Sequence, residues 1–166
     1  MVVFDASTLI LLAKAELLEL FLAGSKMKVA IPEEVEKECC RAKKTLDALI
    51  IEKAVVESKI KVVTVKNRAL VAKLRADFSL GKGEAEAIVL ALKKRALLGT
   101  DDKNGINASK LLGIAFTTAV GILIRSREKG LLERPEALAK LAILAKYGRY
   151  KDSIIEDARW RLEGRR

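Results

Sequence analysis

The sequence contains no histidine. That absence excludes Ser–His and Cys–His nucleophile pairs, and any zinc site built on imidazole. Its two cysteines, Cys39 and Cys40, are adjacent. Neighbours rarely bridge each other, because the geometry strains the peptide between them, so both read as small residues of the core or its boundary. Long apolar runs are missing as well. Each is broken by charge well short of the roughly 20 residues that a membrane span needs, and no membrane association is expected. The stretch MVVFDASTLI lacks a basic leader followed by an apolar segment and cleavage site, which points to the cytoplasm. Aromatic side chains make up 4% of the chain, so platforms for stacking bases are scarce.

What is present is apolar and basic. The chain has 166 residues, 51% of them hydrophobic, enough for one domain over residues 1–166 with a sizeable core. Thirty-two Lys and Arg face 22 Asp and Glu, for a net charge of +10. That balance favours an anionic partner such as RNA or DNA, although many basic proteins bind no nucleic acid. If a metal is bound, oxygen must bind it, which favours Mg²⁺ or Mn²⁺. Trp160 reads as a packing anchor for the last helix. Arg159, Arg161, Arg165 and Arg166 read as a solvated basic tail in reach of RNA, and the lysine pairs at 43–44 and 93–94 as solvated helix charge.

Apolar runs alternate with helical periodicity along the chain. Strands are expected at 2–4, 28–31, 60–65, 96–100 and 114–118. Between them the spacing predicts helices over 7–24, 32–42, 45–59, 67–78, 84–95 and 107–113. From about 119 onward the chain is mostly helical, with breaks at Gly130, Pro135 and Gly148. This pattern argues for an α/β fold, a parallel sheet with helices on both faces.

The acids fall at particular places in that pattern. Asp5 follows the first strand, and Asp101 and Asp102 follow the fourth. Ligands of open α/β sheets bind outside the carboxyl ends of the strands, where the strand order reverses, so these carboxylates meet if strands one and four are neighbours. Ser7 suits a helix N-cap as well as a site near a helix N-terminus, whose N–H groups attract phosphate. Glu34 and Glu38 share a helix face, on which a plain solvated acidic surface is the alternative to a site. Glu84 and Glu86 point to different sides of their helix, so one of them at most faces a shared site. Glu84 also suits the first turn simply by complementing the helix dipole. Carboxylates gathered within a few ångströms take up protons unless a cation compensates them. A divalent ion compensates them, lowers the pKa of a water and stabilises charge on a phosphodiester, while the basic remainder of the surface holds the polyanion.

The ordered set VVFDASTLI, IPEEVEKE (31–38), GKGEAEAIVLA (81–91) and LLGTDDKNG (97–105) resembles a PIN domain over nearly the whole chain. AFTTAVGILIRSREKGLL and RYKDSIIEDA resemble a prokaryotic, toxin-like subgroup. The resemblance implies a three-layer parallel sheet of order 3-2-1-4-5 and a Mg²⁺- or Mn²⁺-dependent ribonuclease, in which a metal-activated water attacks the RNA phosphodiester. It places catalytic acids at Asp5, Glu38 and Glu84. The fourth matches Asp101 or Asp102; a T-x-D form starting at Thr100 favours Asp102, with Asp101 as a further metal ligand and Ser7 and Thr100 in support. Toxins of this kind pair with an antitoxin protein and often dimerise. The long apolar helical stretch STLILLAKAELLELFLAG also suggests a homodimer. Two rival readings remain. VVFDAST is similar to the first motif of haloacid-dehalogenase-like phosphatases, but Ser7 stands where they carry a second aspartate. The fold could also serve as an RNA- or partner-binding module without catalysis.

Overall fold

The computed structural model describes residues 1–41 and 44–164; the expectations for Lys43, Arg165 and Arg166 lie outside the described residues. Five short strands form one parallel sheet: β1 (Val2–Phe4), β2 (Val29–Pro32), β3 (Ile60–Val63), β4 (Leu97–Gly99) and β5 (Phe116–Thr117). Their order is β3-β2-β1-β4-β5, the order the resemblance implies. Val2 lies opposite Val29 on one side and Leu97 on the other, and Phe4 lies opposite Gly99. The chain therefore leaves β1 in one direction through β2 and β3, and in the other through β4 and β5. The reversal falls between β1 and β4.

Helices cover both faces: α1 (Ala6–Lys14), α2 (Leu18–Gly24), α3 (Glu33–Cys40), α4 (Leu46–Val56), α5 (Arg68–Phe78), α6 (Lys82–Lys94), α7 (Lys103–Leu112), α8 (Ala119–Glu128), α9 (Arg134–Tyr147) and α10 (Asp152–Leu162). The period-2 alternation of the strands divides the core. Val2, Phe4 and Ile31 pack with Leu9, Leu12, Leu123 and Leu141 from α1, α8 and α9. Val3, Ala30 and Leu98 pack with Leu74, Ile88 and Ala108 from α5, α6 and α7. Strands buried on both faces need no polar alternation, and Val2, Val3 and Phe4 are indeed all fully buried. The result is the expected three-layer α/β fold. Cys39 is buried and Cys40 partly so, with no disulfide at either.

Four expectations are corrected. The helix predicted over 7–24 is two helices. α1 ends where Glu16 adopts a left-handed conformation, φ 54°; the Leu17 N–H reaches back to the Leu12 carbonyl at 2.8 Å and the Glu16 N–H to Ala13 at 3.1 Å. This helix-ending pattern usually uses glycine, and none is present to signal it. The ammonium of Lys140, buried on α9, completes the end by donating to the Ala15 and Glu16 carbonyls at 3.1 and 3.3 Å. Second, α7 begins at Lys103 rather than near 107, because Asp102 caps it. Third, Trp160 is 51% exposed and anchors nothing in the core; Ala158 and Leu162 are the residues α10 buries. Fourth, Pro135 opens α9, in the first turn where proline is favoured, rather than breaking a helix. Among the described residues, no helix is long and apolar enough to cross a membrane.

The leucines behind the homodimer expectation are used inside the chain. Leu9, Leu12, Leu17 and Leu18 are all fully buried, each contributing about 2 kcal/mol of burial.

Candidate active site

Asp5 leaves the carboxyl end of β1 with its backbone N–H on the Gly99 carbonyl at 3.0 Å. It is the N-cap of α1: Oδ1 accepts from the Thr8 N–H at 3.1 Å and from the Ser7 hydroxyl at 2.6 Å. Oδ2 accepts from the Thr100 hydroxyl at 2.5 Å. The same Thr100 oxygen accepts the Asp102 N–H at 3.3 Å. One buried hydroxyl thus ties the aspartate after β1 to the aspartates after β4, across the point where strand order reverses.

Asp102 caps α7, its Oδ2 accepting the Gly105 N–H at 2.7 Å. Glycine at 105 is a matter of space: a Cβ there would lie 2.7 Å from the Thr100 hydroxyl. Glu84, in the first turn of α6, accepts the Gly81 N–H at 2.8 Å and lies close enough to Asp102 to feel its charge. Glu38 reaches from α3 so that its carboxylate lies against Gly83, where a Cβ would collide with it. Glu34, one turn earlier, instead pairs with Lys82 at 2.9 Å and Lys37 at 3.6 Å. Glu86 is buried on the other side of α6, beside Arg68, Arg75 and Lys82. Of the two glutamates, Glu84 is therefore the one that faces the acids.

Asp101 is engaged differently. Oδ2 accepts from the Thr8 hydroxyl at 2.6 Å and from the Ala119 N–H, the first of α8, at 2.9 Å. Oδ1 accepts from the Tyr150 hydroxyl, and the Asp101 N–H donates to Ser7 Oγ at 3.1 Å. Asp101 thereby ties α1, α8 and the segment before α10 to the Asp5 corner. Sequence reasoning assigned no role to Thr8 or Tyr150. Thr8 carried a signal, a hydroxyl in helical phase with Leu11 and Leu12. Tyr150, 49 residues from Asp101, carried none beyond its place in RYKDSIIEDA.

Burial sets the electrostatics. It pushes the Asp5 carboxyl up to about 7, against the lowering effect of its hydrogen bonds from Ser7, Thr100 and Thr8. Burial also raises Glu84, with a further push from Asp102, and raises Asp101 against its hydrogen bonds. Burial and the neighbouring Asp101 hold the Tyr150 phenol firmly protonated. No lysine or arginine among the described residues offsets these carboxyls, so the corner is short of positive charge. The donor set is oxygen throughout, which fits Mg²⁺ or Mn²⁺. Among the described residues no three acids converge closely enough to cage a bare ion. An ion there would have to keep most of its own water and take few protein carboxylates.

A parallel sheet with carboxylates at its switch point defines an α/β domain with an acidic site. A family model described as the PIN domain matches residues 1–162, and the chain belongs to that family. PIN domains are in general nucleases that use divalent metal ions, so this is a nuclease fold. No curated protein matches the sequence.

Proposed function

We propose that the chain, acting as one domain over residues 1–166, is a metal-dependent endoribonuclease. The observation that carries this reading is the Asp5–Thr100–Asp102 connection at the switch point, made through the Asp102 N–H, with Glu84 beside it and no lysine or arginine among the described residues offsetting Asp5, Glu84 or Asp101. Asp5, Glu84 and Asp102 would hold the ion, with Glu38 completing the acidic rim from α3. A divalent ion there would lower the pKa of a water and neutralise charge on the scissile phosphodiester. The protein's own part is positional. Ser7 and Thr100 fix both oxygens of Asp5, and the Gly105 N–H fixes Asp102. Asp101 we assign to bracing rather than to metal binding, because its oxygens join Thr8, Ala119 and Tyr150 on three separate segments, whereas Asp5 is the aspartate linked through Thr100 to Asp102. A net charge of +10 around an acidic corner suits a polyanionic substrate, and the resemblance to toxin-like PIN ribonucleases makes that substrate RNA. A toxin role opposed by an antitoxin protein, in the cytoplasm, belongs to the same reading.

The test is cleavage of a mixed RNA pool with Mg²⁺ or Mn²⁺, with and without EDTA. Cleavage that EDTA abolishes supports the proposal; wild-type protein that binds RNA and leaves it intact contradicts it. That last outcome would establish a second reading, an RNA-binding module without catalysis. The phosphatase reading gains nothing: Ser7, in place of the second aspartate, donates to Asp5, and Asp5 rather than Ser7 is the N-cap of α1.

A further inference from the structure

The sheet has one face that its helices leave partly open. Lys61, Val63 and Val65 follow one another at period 2 on the side of β3 that faces α6. α5, which follows β3, packs on α6 and α7, and a groove remains between β3 and the last turns of α6. Val63, Val89 and Leu90 line it; Lys59 there is paired with Glu57 at 2.7 Å, and five further lysines, Lys28, Lys61, Lys66, Lys93 and Lys94, border it. All five lysines are exposed, and none forms an ion pair with a described residue. Lys93 and Lys94, expected to be ordinary solvated charge, therefore belong to a cationic row. Beyond Val65 the groove runs on past Arg68 and Arg75 to Lys82, two residues before Glu84. Glu86 lines it, and Glu57, Glu33 and Glu34 reach its edge through Lys59, Thr64 and Lys82.

We propose that this groove is a docking track for the sugar–phosphate backbone of single-stranded RNA, leading the strand to the acids at the switch point. The inference rests on the ribonuclease reading and names the surface that reading lacks. An acidic corner repels a phosphodiester, so affinity must come from elsewhere. Five of its lysines have no ion pair with a described residue, and it ends two residues from Glu84 at Lys82, which pairs with Glu34. No aromatic ring lines it, so bases find no stacking platform there. The track holds phosphates and reads no sequence.

Two labelled oligouridines, of 5 and 20 nucleotides, test this in EDTA by fluorescence anisotropy across a salt series. Cleavage of the same two is followed with Mn²⁺. The comparison is wild type against the triple variant Lys61→Glu, Lys93→Glu, Lys94→Glu, whose changes are all at exposed positions; a melting curve confirms folding. The wild type should bind the 20-mer at least about tenfold more tightly than the 5-mer. The variant should lose that advantage, and its logarithmic salt slope should fall by about 2, at roughly 0.7 per phosphate contact. Cleavage of the 20-mer should fall further in the variant than cleavage of the 5-mer. Equal 20-mer binding by both proteins would overturn the track and leave the ribonuclease reading standing, provided the 5-mer is cut. A wild type that cuts neither oligomer would instead sink the ribonuclease reading. Binding of poly-glutamate by wild type but not by the variant, with RNA binding unchanged, would assign the groove to a protein partner and overturn the proposal.

Discussion

Asp5 is a carboxyl that the fold makes reluctant to ionise. Its folded pKa, about 7, lies above the usual carboxylate value near 4. The folded state therefore holds a proton that the unfolded chain has released, and the metal-free protein loses stability as pH rises from about 4 to about 7. Asp5→Asn removes that loss. Its amide still accepts from Thr8, so the metal-free variant should melt higher than wild type at pH 8, while Mn²⁺ binding in calorimetry should weaken markedly. A lower melting temperature at pH 8 would contradict the buried-charge argument. Below about pH 7, Mn²⁺ affinity of the wild type should rise with pH, because the ion must displace that proton. Gly83 offers a second residue-scale test. Gly83→Ala forces the flexible Glu38 carboxylate aside, so cleavage should fall while the melting temperature changes little. Unchanged cleavage would remove Glu38 from the site. Asp5, Glu84 and Asp102 were legible in the sequence because a residue after a strand, or in the first turn of a helix, has a place fixed by short-range geometry. The Asp101–Tyr150 contact was not legible: it joins loops whose approach depends on how α8, α9 and α10 pack.

The same division holds among the elements. The order of strands and helices was readable because apolar runs and helical periods alternate cleanly. The break between α1 and α2 was hidden, because Glu16 takes the left-handed turn that glycine usually advertises. The structure holds that turn with a buried lysine from 124 residues further on, and such a partner has no local signature. Lys140→Met keeps the length and apolar stem of the side chain and removes the donor. The carbonyls of Ala15 and Glu16 then go unmet, and the fold should lose about 1–3 kcal/mol in denaturant titrations. A loss below about 0.5 kcal/mol would mean that water replaces the ammonium. At α4, Leu46, Leu49 and Val56 are 69%, 50% and 78% exposed and recur at helical spacing. If the chain dimerises, this stripe is the better candidate surface than the α1–α2 leucines. Leu49→Asp should then give a monomer mass by light scattering at high micromolar concentration, where wild type gives a dimer. A wild-type monomer would rule the dimer out.

For the whole molecule, the charge arrangement carries the argument. A protein of net charge +10 concentrates carboxylates where its sheet reverses, and keeps its lysines outside. Overall composition favours an anionic partner but cannot say which surface would meet it, since that depends on which sheet face the helices leave open. The division predicts that binding and cleavage separate cleanly. Asp102→Asn separates them: asparagine is as good an N-cap as aspartate, so α7 stays capped at Gly105 while one negative charge leaves the corner. With Mn²⁺, wild type should cleave single-stranded RNA and stop on addition of EDTA. Asp102→Asn should cleave at least about a hundredfold more slowly, as expected when several kcal/mol of transition-state stabilisation are lost, yet bind the same RNA as tightly as wild type or more so. Cleavage by Asp102→Asn at the wild-type rate, or cleavage that survives EDTA, would contradict the account.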